Sequence, residues 1–191
     1  MLGPVEHLSM DALEAGLEDV RRSPADVGRV ELVVRRPAED EREVLAEGTL
    51  DCDHGLLGDT WRVRGSSRTA DGSAHPDMQL NVINARLAAL VAGAPERRQL
   101  AGDQLHLDLD LSVANLPPGT HLELGSAVIE VTEQPHTGCH KFAARFGQDA
   151  LRFVNSPAGR ALRLRGLNAR VVVAGTVRPG DVVRKRSPGS G

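Results

Sequence analysis

The chain begins with a helical pattern of apolar residues. Between residues 10 and 20 they recur three and four positions apart, which places them on one face of a helix. Ser9 is a favourable N-cap before this segment, and Pro24 cannot continue a helix beyond it. The pattern predicts an amphipathic N-terminal helix over about residues 9–22, which packs on the rest of the fold through its apolar face.

A two-residue period, typical of β-strands, follows this helix. Apolar residues alternate around Val30, and after the acidic turn at 39–41 a second strand is predicted over 44–50. We expect these two strands to form a hairpin whose charged turn lies in solvent. Strict alternation of leucines from 105 to 111 predicts the clearest half-buried strand, with His106 on its outward face.

The remaining apolar segments predict a series of short elements. Strands are predicted over 78–83, 121–124, 128–132, 169–177 and 181–185, and short helices over 85–92, 139–146, 148–154 and 157–162. Asn84 and Ser156 are favourable N-caps for two of these helices. Many short strands with few helices predict a mainly β fold, a β-barrel with several short α-helices and an N-terminal helix. We expect a single domain over 1–191, with the barrel over about 28–185 and a flexible tail over 186–191.

Composition excludes several classes of function. The chain has 191 residues, a net charge of -3 and only 2% aromatic residues, so neither a nucleic-acid-binding surface nor a base-stacking platform is expected. It has no run of 18 apolar residues and no signal-peptide pattern, so we expect a cytoplasmic protein without a membrane partner. In a reducing compartment the two cysteines are expected to be free thiols.

One of these cysteines, Cys139, lies where a predicted strand meets a predicted helix. The β-branched run ends before Pro135, and helix-forming residues with apolar positions four apart begin after Gly138. A helix start presents unpaired backbone N–H groups, and Lys141 and Arg145 follow within two turns. These groups favour a thiolate and predict a nucleophilic or metal-binding sulfur, the alternative being a small buried hydrophobic residue.

Three segments resemble the motifs of a known family in their order and spacing. Residues 55–59, GLLGD, match its G-L-x-G-D element, and residues 116–125 match its L-x-x-G-x-x-L-x-x-G hairpin. Residues 133–142, EQPHTGCHKF, match its cysteine motif. Over about residues 28–185 the chain therefore resembles the MOSC domain, named after the C-terminal part of molybdenum cofactor sulfurases. The resemblance implies a MOSC-like β-barrel of the stand-alone bacterial type.

The resemblance implies that Cys139 handles sulfur or the molybdenum cofactor. MOSC domains are held to carry persulfide sulfur to metal–sulfur centres, and relatives in the amidoxime-reducing branch hold the cofactor through the cysteine while they reduce N-hydroxylated compounds. A persulfide donor or a molybdoenzyme is the implied partner. The implied catalytic residues are Cys139 and His136, the implied metal ligand is Cys139, and the implied cofactor-binding residues are Lys141, Arg145, Asp59 and Arg62. Arg64, Arg163 and Arg165 are further candidate cations for the cofactor's phosphate.

Two features depart from the family pattern. Many stand-alone relatives have an Arg-x-Asn element before the hairpin, whereas residues 101–104 of this chain, AGDQ, contain no arginine. The aminotransferase-like domain of full sulfurases is also missing, so pyridoxal phosphate is not expected. These departures favour cofactor or sulfur handling over oxidoreductase activity, and they leave open whether the protein is an enzyme.

Two other functions remain compatible with the residues. Cys52 and His54 could combine with His136 and Cys139 in a Cys2His2 zinc site, although the Cys-x-His spacing is tighter than usual. Alternatively, Cys139 could be the reactive thiol of a redox protein, with Cys52 as the resolving cysteine. The sequence leaves the oligomeric state open.

Overall fold

A closed seven-stranded β-barrel forms the centre of the computed structural model, which describes residues 6–186. The strands are β1 (Val27–Arg35), β2 (Glu43–Val44), β3 (Gly48–Asp51), β4 (Gly55–Leu56), β5 (Leu80–Asn84), β6 (Leu105–Asp108), β7 (His121–Leu124), β8 (Ala127–Val131), β9 (Leu167–Val173), β10 (Gly175–Val177) and β11 (Val182–Lys185). The helices are α1 (Met10–Arg21), α2 (Trp61–Arg64), α3 (Ala85–Ala92), α4 (His140–Phe146), α5 (Gln148–Asn155) and α6 (Pro157–Ala161). Two 3-10 helices cover Pro76–Met78 and Pro95–Ala101. The strand-rich barrel with an N-terminal helix is the fold that the sequence predicts.

The barrel closes through pairings between strands that are distant in sequence. Its strands follow one another in the order β1, β11, β7, β8, β9, β5 and β6, and β6 returns to β1. Neighbouring strands are antiparallel except β5 and β6, which are parallel and are connected by α3 and the second 3-10 helix. Strand β2 pairs with β1 outside this ring, and β3 pairs with β4 and β10 in a separate three-stranded sheet.

Two apolar cores hold the molecule together. One fills the barrel and includes Leu105 and Leu107 of β6 and Ile129 of β8. The other lies between the barrel wall and the helices, and it contains Leu13, Ile83, Leu87, Ala88, Val91, Phe142, Phe146, Phe153 and Val154. The helices therefore cover one side of the barrel, and the second core fixes α4, the helix that follows Cys139.

Predicted helix caps are confirmed by hydrogen bonds from backbone N–H groups to the capping side chains. The Ser9 hydroxyl caps α1 at the Ala12 N–H, and the Asn84 side chain accepts from two N–H groups at the start of α3.

No helix within residues 6–186 is both long and apolar enough to cross a lipid bilayer. The predicted tail lies, from residue 187 onward, outside the described residues.

The first hairpin differs from its prediction in two ways. A register shift between Val30 and Leu32 interrupts the alternation of β1, so that Val30, Val33 and Val34 are buried while Leu32 is only partly so. The predicted strand over 44–50 is divided into β2 and β3, which belong to different sheets. Sequence alternation gave no sign of the bulge, because a bulge changes the phase without changing the residue types.

His106 lies on the outer face of β6, as predicted, but the expectation that this face is exposed to solvent is wrong. The side chain is 1% exposed, and neither ring nitrogen has a hydrogen-bond partner among the described residues. Its register partner on β5, Ile83, belongs to the core under the helices, so the outer face of β6 is covered rather than solvated. Burial lowers the pKa of His106 to about 4, although the charge of Asp103 opposes this shift.

Acidification is expected to destabilise the fold through this histidine. A folded-state pKa of about 4, against an ordinary value of 6.5, means that the unfolded chain binds the proton more tightly between these two values. The free energy of unfolding should fall by about 3 kcal/mol between pH 6.5 and 4 from this residue. Urea denaturation across this range should give a shallower pH dependence in His106→Leu, and an unchanged slope would contradict the assignment.

Candidate functional site

Cys139 lies at the junction that the sequence predicts. After β8 ends at Val131, residues 132–138 form a loop, and α4 begins at His140 with Cys139 as its N-cap. Cys139 has the extended backbone conformation of an N-cap residue, with φ -126° and ψ 177°, and its thiol makes no capping hydrogen bond. The residue is exposed. Its thiol is therefore neither a cap nor part of a core.

The thiol borders a cavity of about 430 Å³. Trp61, Val63 and His75 line part of this cavity, and Phe142 contributes from α4. Its size falls within the range of small-molecule sites. Six cationic side chains line it: Arg36, Arg42, Arg64, Lys141, Arg145 and Arg165. The cavity thus combines a free thiol with an excess of positive charge, and we refer to it as the Cys139 cavity.

Two of these cations, Arg36 and Arg165, are held by buried carboxylates that lie beneath the lining of the cavity. Arg36 donates to both oxygens of Asp59, at 2.8 and 2.9 Å, and Arg165 donates to both oxygens of Asp103, at 2.7 and 2.9 Å. Burial by itself would raise the pKa of each carboxyl group, but the hydrogen bonds and charges of the arginines outweigh it and lower both pKa values. Both carboxylates therefore stay ionised and orient their arginines.

Two further cations meet acidic residues at the surface. Lys141 Nζ lies 3.2 Å from Glu39 Oε1, and Arg145 Nη2 lies 3.1 Å from Asp40 Oδ1. Both acidic side chains are mostly exposed, so these ion pairs are expected to be weak and open to displacement by another anion. Lys141 and Arg145 both border the cavity, but they share their charge with the acidic turn.

Arg42 and Arg64 form no ion pair with a carboxylate within the described part of the chain. The Nε atom of Arg42 is buried without a hydrogen-bond partner, while its Nη1 donates to a backbone carbonyl. Desolvation, followed by the charges of Arg145 and Arg36, lowers the pKa of Arg42, and desolvation and Arg36 lower that of Arg64. This part of the cavity has positive charge that an anion would neutralise.

His136 is hydrogen-bonded to buried Asp103 and is not free in the cavity. Its Nε2 lies 2.9 Å from Asp103 Oδ1, an arrangement in which a neutral ring donates from Nε2. Burial and the charge of Arg165 lower the pKa of His136, although Asp103 opposes this. Arg165 also stacks on Phe142 of α4, with its guanidinium carbon 5.0 Å from the ring centroid. One buried carboxylate therefore connects the cysteine loop to the helix that follows it.

The structure separates the remaining candidates. Asp59 lies behind the wall as the partner of Arg36, while Arg62 points away and donates to the Asp53 carbonyl at 2.6 Å. Arg163 has a positive φ of 48° and donates to the Leu116 carbonyl, and it borders a different cavity. Neither Arg36 nor Arg42 was predicted from the sequence to belong to the site. The pair Arg35-Arg36 at the end of the first predicted strand is the one sequence signal that could have suggested Arg36.

The zinc ligands suggested by the sequence do not converge. Within residues 6–186, no three His, Cys, Asp or Glu side chains are placed to hold a metal ion. His54 lies 2.8 Å from Asp51, and His136 is bound to Asp103. Cys52 and Cys139 are both exposed free thiols that are not joined by a disulfide. A Cys2His2 site at these positions is therefore not supported.

Comparison with known proteins gives one family and several similar folds. The family model of the MOSC domain matches residues 73–184, whereas no curated protein matches the chain. The YuaD protein from Bacillus subtilis has a similar structure, with a TM-score of 0.62 and 16% identity over 84% of this chain and 96% of that one. YiiM from Escherichia coli gives a TM-score of 0.54 and 21% identity over 85% of this chain and 72% of that one. At these identities the structural matches establish the fold.

Proposed function

We propose, from the premise that this chain belongs to the MOSC domain family, that its Cys139 cavity binds the molybdenum cofactor with the Cys139 thiolate as a ligand of the metal. One observation supports this proposal above the others: an exposed thiol and two arginines without carboxylate partners border the same cavity. A thiolate is a soft metal ligand, and arginine is suited to binding phosphate. The metal of the cofactor would thus bind Cys139, while its phosphate would bind the arginines of the same cavity.

The residues fit such a ligand on structural grounds. The buried Nε of Arg42 lacks a partner, and a phosphate oxygen would supply the acceptor it needs. A Cβ atom at Gly102 would lie 3.0 Å from Arg42 Nη2 and 3.4 Å from Arg145 Nη1, so two guanidinium groups approach one another at this glycine. Arg36 donates to the carbonyl of the same glycine. A dianion here would replace cation–cation repulsion by charge-assisted hydrogen bonds.

The protein's own residues would divide the work of binding. Cys139 provides the sulfur, while Arg42 and Arg64 bind the phosphate, with Arg36 held in place by Asp59. Lys141 and Arg145 can exchange the surface carboxylates of Glu39 and Asp40 for an anionic group of the ligand. When bound, the molybdenum cofactor supplies redox chemistry at its metal.

Sulfur carriage is a second candidate function for the same thiol. Its support is that Cys139 is exposed and makes no capping hydrogen bond, so that a persulfide held by another protein can reach it. The thiolate would attack the terminal sulfur of R–S–SH, a new S–S bond would form, and the donor would leave as R–S⁻. The product, Cys139–S–SH, would be detected as one extra sulfur in the mass of the peptide that contains Cys139.

Substitution of two neighbouring arginines, Arg62 and Arg64, tests where the phosphate binds. We expect Arg64→Ala protein, made in a host that synthesises molybdenum cofactor, to retain about a tenth or less of the wild-type pterin after purification, because it loses a charged hydrogen bond to phosphate. Arg62→Ala is the matched control, since Arg62 lies two residues away on α2 and binds the Asp53 carbonyl instead. Pterin is measured by its fluorescence after release from the protein.

The two variants separate the possible outcomes. Loss of pterin in Arg64→Ala with retention in Arg62→Ala supports the cavity as the site. Equal loss in both would mean a general effect of charge, and equal retention would remove Arg64 from the phosphate site.

A further inference from the structure

The loop before Cys139 is bound to α5 through a single side chain. The Gly138 N–H donates to Asn155 Oδ1 at 3.0 Å, and Asn155 Nδ2 donates back to the Gly138 carbonyl at 3.1 Å. Asn155 is the last residue of α5, and its amide therefore satisfies both backbone groups of the residue that precedes Cys139. Such a reciprocal pair restricts rotation of the backbone more than one hydrogen bond would.

The contact at Gly138 leaves no room for a side chain unless the neighbouring side chains of α5 move. A Cβ atom at this position would lie 2.8 Å from Leu151 Cδ1, 3.0 Å from Val154 Cγ2 and 3.2 Å from Asn155 Nδ2. The absence of a side chain lets the loop lie directly on α5, which in turn belongs to the core under the helices. The cysteine loop is thus fixed to a rigid element.

Asn155 makes this contact from outside the Cys139 cavity. It borders a second cavity of about 470 Å³, which also touches His136 and Thr137. The cysteine loop therefore lies between Asn155 and the space that Cys139 faces. A second tether, from His136 to Asp103, holds the same loop two residues earlier. Hydrogen bonds thus hold the segment 136–138 at both of its ends.

We propose that Asn155 is a positioning residue that determines where the thiol of Cys139 points. By fixing both backbone groups of Gly138, it sets the direction in which the chain enters Cys139 and keeps that residue in its N-cap conformation at the wall of the cavity. The use of the positioned thiol rests on the function proposed above, whereas the positioning itself can be measured without any cofactor.

The test compares the two free cysteines of one chain. Purified, cofactor-free protein is treated with iodoacetamide, and the alkylation rates of Cys139 and Cys52 are followed by peptide mass. In Asn155→Ala we expect the Cys139 rate to change by about tenfold and to approach its value in the urea-unfolded chain, because supporting contacts of this kind control a site's reactivity by such factors. The Cys52 rate should stay constant, since Cys52 lies in another loop.

Two further variants make the result decisive. Arg152→Ala, on the exposed face of α5, changes the same helix without touching the loop and should leave both rates unchanged. Asn155→Asp keeps the acceptor for the Gly138 N–H but loses the donor to its carbonyl, and it should give an intermediate Cys139 rate. If folded Asn155→Ala and Asn155→Asp both alkylate Cys139 at the wild-type rate, the proposal is wrong, even if their melting temperatures fall. A wild type without molybdenum would refute the proposed function and leave this comparison intact.

Discussion

Asp103→Ala should lower the free energy of unfolding by about 3–5 kcal/mol, because it leaves a buried guanidinium without its carboxylate. Asp103 is completely buried and accepts hydrogen bonds from Arg165 at 2.7 Å and from His136 at 2.9 Å. Neither donor can turn to water, since both side chains are largely buried as well. The loss is read from the midpoint and slope of urea denaturation.

An exposed acidic residue near the same cavity provides the control. Glu39→Ala removes a carboxylate that pairs with Lys141 at the surface, and it should cost less than about 1 kcal/mol. Asp103→Asn, which keeps an acceptor oxygen but no charge, should fall between the two. A loss for Asp103→Asn no larger than that for Glu39→Ala would contradict the view that this carboxylate anchors the site.

Cys139→Ala is expected to lower the molybdenum content per chain by at least about tenfold, since the metal loses its only protein sulfur in the proposed complex. The effect on pterin should be smaller, because Arg42 and Arg64 remain to bind the phosphate. Metal analysis and pterin fluorescence on the same sample distinguish the two effects. Both are measured on protein from a host that makes the cofactor.

Cys52→Ala is the natural control for this prediction. Cys52 is also an exposed free thiol, but it does not border the Cys139 cavity, so its removal should leave molybdenum and pterin at wild-type levels. Equal molybdenum in wild type and Cys139→Ala would exclude the thiolate as the metal ligand. If wild type contains pterin but no molybdenum, the phosphate site stands and sulfur carriage becomes the better account of Cys139.

The parts of the fold that depend on near neighbours could be predicted from sequence. Ser9 and Asn84 cap helices as expected, because a cap needs only the residue and the few N–H groups after it. The burial of His106 could not be predicted, because it depends on how the helices pack against the outer face of β6. Closure of the barrel through the β1–β11 pair is equally long-range, and it followed from the family resemblance alone.

The candidate site likewise combines residues whose positions could be predicted from sequence with residues whose positions could not. The position of Cys139 at the start of a helix was predictable because a strand, a turn and a helix meet there within a few residues. Arg42 was not, because about a hundred residues separate it from the cysteine and only the fold brings the two together. Arg62 and Arg64 look equivalent in sequence, yet residues two apart on a helix face different directions, and only Arg64 borders the cavity.

Protection of Cys139 from alkylation would show whether the cofactor binds in the Cys139 cavity. Wild-type protein loaded with molybdenum cofactor and cofactor-free protein are each treated with iodoacetamide, and both cysteines are quantified by peptide mass. We expect Cys52 to react equally in the two samples, whereas Cys139 should react only in the cofactor-free one. Equal alkylation of Cys139 in both samples would place the cofactor elsewhere and contradict the assignment of this cavity.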